Sequence, residues 1–182
     1  MKAMESCMSK TRKITYTAVG AAISAVCVCL TNFGWLKVSL LMAAALCYYI
    51  VFCKCGVWYG LGDIVISLAV AFFAFGITPL SSAFLLTALL FAPFSLLAYL
   101  IRKLYYTRVA TAFIRLGIMA VFANLSLCAL WFTAKWITTI DIVAIAGKIG
   151  GYPVLALLFT LFTLTFDLLF NQLCIRILRY IK

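Results

Sequence analysis

A helix needs about 20 apolar residues, at about 1.5 Å each, to cross a hydrocarbon core roughly 30 Å thick. Runs of nearly that length fill this chain of 182 residues from Ile14 onward, separated only by short polar or glycine-bearing joints. In lipid no water satisfies the backbone, so each run must close its own N–H and C=O groups as a helix. Apolar residues make up 68% of the chain and charged ones 10%, with a mean hydropathy of +1.21, which leaves no stretch for a soluble catalytic domain. The expected fold class is an all-α integral membrane protein, a six-transmembrane-helix bundle forming one domain over 1–182.

The joints place the spans. Thr31 to Gly34, Lys54 to Gly56, Gly76 to Pro79, Arg102 to Arg108 and Lys135 to Gly151 break the apolar pattern, giving helices at roughly 14–31, 38–53, 56–76, 81–101, 109–134 and 152–178. Pro93 inside the fourth span is expected to bend it. Lys10, Arg12 and Lys13 precede the first run as they would in a signal peptide, but no clean small-residue cleavage site follows, so it is read as a retained span.

Lysine and arginine near span ends stay in the cytoplasm. Lys2, Lys10, Arg12, Lys13, Lys54, Arg102, Lys103, Arg108, Arg176, Arg179 and Lys182 fall on one side, against Lys37, Lys135 and Lys148 on the other. The N and C termini are therefore expected to be cytoplasmic. The net charge of +11 then reflects topology and suits anionic lipid headgroups, with no call for nucleic acid.

Cys27, Cys29, Cys47, Cys128 and Cys174 lie inside apolar spans, where thiols act as small hydrophobes. Cys53 and Cys55 flank Lys54 at a joint, but with no histidine in the chain and no second pair, no metal site or cofactor is expected.

Residues 17–26 read TAVGAAISAV, an unusual choice for a membrane helix because the small residues outnumber the bulky ones. Val19, Ile23 and Val26 repeat with helical spacing as a lipid-facing stripe. Ala18 with Ala22, Ala21 with Ala25, and Gly20 with Ser24 are each spaced for close backbone approach of another helix. Spacing alone allows that helix to belong either to a partner subunit or to the chain itself.

A basic leader, an alanine-rich first helix with AxxxA spacing and six spans with both ends inside resemble the substrate-binding S component of an energy-coupling factor (ECF) vitamin transporter. YGLGDIV and FLLTALLFAPFSLLAYLIRK in spans three and four are similar to the corresponding family segments. The resemblance implies that the small-residue face of helix one, Ala18, Ala21, Ala22 and Ala25, docks on the transmembrane coupling subunit, with Ala18 and Ala22 facing it. It also implies two ATPase subunits as partners and residence in the bacterial cytoplasmic membrane. RLGIMAVFANLSLCALWF in span five, with Asn124 seven residues before Trp131, is similar to the folate-specific branch. That branch carries an arginine ahead of a proline at the start of helix six, where this chain has Lys148 and Pro153.

Counting from Arg108, Asn124 lies roughly 24 Å across and Trp131 close to the outer surface. The outer side also holds Trp35, Lys37, Thr78, Ser81, Ser82, Lys135, Trp136, Asp141, Lys148 and Tyr152. Aromatic faces can stack on a heterocycle while lysines meet a carboxylate or phosphate. The candidate substrate-binding set is Trp35, Lys37, Ser81, Asn124, Trp131, Lys135, Lys148 and Tyr152, for a vitamin-like solute of which folate or a related heterocyclic anion is the best match. An ordinary interfacial aromatic belt accounts for the same rings. The apolar IVAIA between Lys135 and Gly151 suggests a lid, with Gly147, Gly150 and Gly151 as hinges or simply as turn residues.

Asp63, Arg115 and Asp167 are the ionisable residues set well inside spans, at about 10–14 Å from the inner ends of their helices. Arg115 is expected to pair with at least one of the two carboxylates. A proton path through Asp63 and Asp167, in a proton-coupled secondary transporter, is the competing reading. A non-transporting membrane scaffold of a cell-wall complex is another. The chain is not expected to be an enzyme, since it lacks a GxxxxGK[ST] phosphate loop and any histidine, so ATP hydrolysis would belong to partners.

Overall fold

The computed structural model describes residues 9–31, 37–75, 82–104, 110–137, 147–148 and 150–180. The described residues are helical throughout their length apart from caps and turns, with no strand among them. The helices are α1 (Lys10–Leu30), α2 (Lys37–Cys55), α3 (Val57–Phe75), α4 (Ser82–Leu86), a π-helical segment (Thr87–Phe91), α5 (Ala92–Leu104), α6 (Ala110–Ile137) and α7 (Tyr152–Tyr180). Six stretches are long and apolar enough to cross a membrane: Lys10–Leu30, Val38–Cys55, Val57–Ala74, Phe84–Lys103, Phe113–Thr133 and Tyr152–Ile177. This is the architecture of a multi-pass membrane protein. The chain divides into two compact units, Met1–Leu104 and Tyr105–Lys182.

In the first unit, α1 starts where Ser9 caps it, the Ser9 Oγ accepting from the Arg12 N–H at 3.4 Å. Its last turn closes with the Thr31 hydroxyl donating to the Val28 carbonyl at 2.5 Å. A single residue joins α2 to α3. Gly56 sits at φ 97°, a conformation that side chains disfavour, and its N–H donates to the Phe52 carbonyl at 3.1 Å. Its own carbonyl accepts from the Gly60 N–H at 3.1 Å, so the second helix begins where the first ends.

The irregularity expected at Pro93 takes the form of the π-helical turn just before it, with the Ala92 N–H donating to the Thr87 carbonyl. Proline has no N–H for the carbonyl four residues back, and its ring crowds that carbonyl; a widened turn absorbs both effects. The α2 helix is the hub of the unit, packing on α1, α3, the π-helical segment and α5. Leu41, Ala44, Ala45, Tyr48 and Phe52 of α2 and Phe94, Ala98 and Tyr99 of α5 are buried, and the Phe52 and Tyr99 rings stack at 5.6 Å. The Ser95 Oγ adds a polar link, 2.8 Å from the Phe91 carbonyl and 3.0 Å from the Ala45 carbonyl.

The second unit is an antiparallel pair. Along α6, Met119, Ala123, Ser126, Leu127 and Leu130 are buried, and along α7, Thr163, Phe166, Asp167, Phe170 and Cys174. Both sets recur every three or four residues, one stripe per helix. The remaining faces are apolar and exposed, including Phe113, Val121, Leu125 and Phe132 on α6 and Leu157, Leu161, Leu168 and Leu169 on α7, as suits contact with hydrocarbon. Gly150 and Gly151, at φ 113° and 94°, turn the chain into α7; residues 138–146 and 149 of the expected lid lie outside the described residues.

Candidate functional site

The small residues of α1 divide between two directions. Thr17, Gly20, Ala21, Ser24, Ala25 and Val28 form one buried stripe, packed where α2 and α3 meet α1. Ala18 and Ala22 are exposed, as are Val19, Ile23 and Val26. Of the four alanines expected to form a docking face, Ala18 and Ala22 are therefore exposed and Ala21 and Ala25 are not. Ala21 and Ala25, at 3% and 4% exposure, are used by the chain itself, because they share a helical stripe with Gly20 and Ser24.

That buried stripe reaches an acid. Asp63 on α3 has no exposed surface, and its Oδ1 lies 3.2 Å from the Ser24 Oγ. Its Oδ2 has no hydrogen-bond partner among the described residues. Gly20 makes this approach possible: a Cβ there would stand 3.1 Å from the Asp63 Oδ2 and 2.6 Å from the Val51 Cγ2. The short Val51 side chain has little room to yield. Nearby, the Tyr48 and Ser67 hydroxyl oxygens are 2.7 Å apart, and Ser67 donates to the Ile64 carbonyl at 3.0 Å.

In the second unit three contacts form a ladder along the α6–α7 seam. At its lowest rung the Arg115 guanidinium forks onto Asp167, Nε to Oδ2 at 2.7 Å and Nη2 to Oδ1 at 2.6 Å. Asp167 is buried and Arg115 half-buried, so the charge is neutralised where water is scarce. Two and a half turns on, Asn124 donates from Nδ2 to the Ala120 carbonyl at 2.8 Å and to the Thr160 Oγ1 at 3.2 Å. Two turns further, the Trp131 and Tyr152 rings meet edge to face at 5.4 Å.

Of the substrate-binding set, Asn124, Trp131 and Tyr152 are thus brought onto one seam, and Lys148 is exposed just ahead of it. Lys37 opens α2 and Lys135 lies in the last turns of α6, their side chains outside the described residues, as are Trp35 and Ser81 altogether. Sequence reasoning missed Ser24 and Thr160 as partners, since a hydroxyl in a membrane helix bonds its own backbone by default, as both also do here. The i to i+7 spacing of Ser24 from Thr17 on a stripe of small residues is the one signal that could have placed it inside. Cys53 and Cys55 are buried, and no group of three metal-ligating side chains occurs among the described residues.

Compared with family models, with curated proteins and with solved structures, the chain matches none.

Proposed function

We propose that this chain is the substrate-capture subunit of an ECF-type importer, in which it binds a vitamin-like solute from outside and docks on a coupling subunit driven by two ATPases. The observation that carries the reading is the exposed pair Ala18 and Ala22, one turn apart on α1 and set among exposed aliphatics, a surface on which another membrane helix can approach closely. The seam from Asn124 to the Trp131–Tyr152 pair supports the binding half of the proposal, since it sets an amide and two aromatic rings two turns apart on one helix pair. Folate or a related heterocyclic anion is the proposed cargo, with both termini on the cytoplasmic face of a bacterial plasma membrane.

The test is a pair of measurements. Mass spectrometry of small molecules released from the purified protein identifies the cargo. Ala18→Leu with Ala22→Leu is expected to leave solute binding intact and to abolish uptake in cells; lost binding with intact complex formation reverses the assignment of the face. A proton-coupled secondary transporter is the second reading, favoured by the buried Asp63. Solute accumulation in liposomes holding this chain alone, without ATPases, would establish it.

A further inference from the structure

Hydroxyl hydrogens around Asp63 can be counted. The Ser24 Oγ and the Gly20 carbonyl oxygen are 2.6 Å apart, a separation that needs a proton between them, and only Ser24 can supply it. By the same logic Ser67 donates to the Ile64 carbonyl, so the 2.7 Å contact between Tyr48 and Ser67 uses the phenol's proton. The Ser24 hydrogen therefore serves the Gly20 carbonyl first and reaches the Asp63 Oδ1, 3.2 Å from the Ser24 Oγ, only as the weaker arm of a three-centre bond. One long, shared hydrogen bond is little compensation for a full negative charge.

Charge leads to the same place. Asp63 is fully buried, and among the described residues its Oδ2 has no hydrogen-bond partner and no Lys or Arg forms an ion pair with it. The titratable groups that face it from α2 are the Cys47 and Cys55 thiols and the Tyr48 phenol, all neutral when protonated. From α1 it is faced by Ser24 and Gly20. A bare carboxylate there would be a buried charge without compensation. Asp167 differs: both of its oxygens accept from Arg115.

We infer that Asp63 is a proton-binding site, a neutral carboxylic acid that shares a hydrogen bond with Ser24 through Oδ1 and so joins α3 to α1. This holds whatever solute the protein carries, and it sets the two intramembrane acids apart: Asp167 is held in an ion pair by Arg115, and Asp63 is the acid that can gain and lose a proton. Losing it would leave a charge facing the helix that presents Ala18 and Ala22 on its other side.

Infrared spectroscopy of the full chain in lipid vesicles at neutral pH tests this. The expected result is a carbonyl band of a protonated carboxylic acid that is lost in Asp63→Asn and shifted in frequency in Ser24→Ala, while Asp63→Asn, an uncharged isostere, melts at the wild-type temperature. Spectra of wild type and Asp63→Asn that superimpose in the acid carbonyl region overturn the inference. Should Asp63→Asn fail to fold, the wild-type band and its response to Ser24→Ala decide: a shift supports the shared proton, and an absent or unmoved band refutes it.

Discussion

Arg115 and Asp167 lock α6 to α7 through two parallel hydrogen bonds of 2.7 and 2.6 Å, the arginine reaching from a partly open position to an acid that is almost wholly enclosed. A fork of this kind fixes both the rotation and the register of two antiparallel helices, because only one pairing of helical turns presents both oxygens to both nitrogens. The Asn124–Thr160 and Trp131–Tyr152 contacts follow from that register.

Replacing Arg115 with Met keeps most of the side-chain volume and removes the charge. Asp167 is then enclosed without a partner, and the expected loss is about 3–5 kcal/mol, read as a lower melting temperature and folded yield in detergent. Adding Asp167→Leu to Arg115→Met is expected to recover much of it. Undiminished stability of the single variant would show that the ion pair contributes nothing to holding α7.

Gly20→Ala tests the approach of α1 to α2 and α3. The new Cβ would meet the Val51 Cγ2 at 2.6 Å, and the expected cost is about 1–3 kcal/mol of overpacking. Val51→Ala in the same chain opens that space, so the double variant is expected to melt above Gly20→Ala alone.

The two alanine pairs of α1 should respond oppositely to leucine. Ala21→Leu and Ala25→Leu force bulk between packed helices and are expected to cost about 1–3 kcal/mol each. Ala18→Leu and Ala22→Leu place the same bulk on an exposed surface, where the change in stability is expected to stay within about 0.5 kcal/mol. Thermal melts of the four purified variants give the comparison, and equal losses in all four would mean that Ala18 and Ala22 are also packed.

Gly56 turns α2 into α3 at φ 97°. Alanine in that conformation costs about 1–3 kcal/mol, although a Cβ there meets no atom within 4 Å, so the penalty is conformational and not steric contact with a neighbour. Gly56→Asn, which tolerates the left-handed region better, is expected to melt between Gly56→Ala and wild type. A Gly56→Ala protein as stable as wild type would place the strain elsewhere.

Much of the architecture could be read from residues in order. Six apolar runs dictate six helices because a backbone in hydrocarbon has no other way to satisfy its polar groups. Gly56, Pro93 and the Gly150–Gly151 pair mark irregularities through constraints local to a few atoms. The depth shared by Arg115 and Asp167 likewise follows from counting along helices.

Direction around a helix axis was not legible in this way. Ala18 and Ala21 are the same residue type on the same helix, and one is exposed while the other is sealed, since lipid and protein interior are equally apolar and hydropathy cannot tell them apart. Which carboxylate Arg115 meets depended on the register of α6 against α7, and the isolation of Asp63 beside Ser24 on how closely α3 approaches Gly20. Composition along a chain thus governs whether a segment enters the membrane, whereas the sides it turns inward are set by the packing of side chains that lie far apart in sequence.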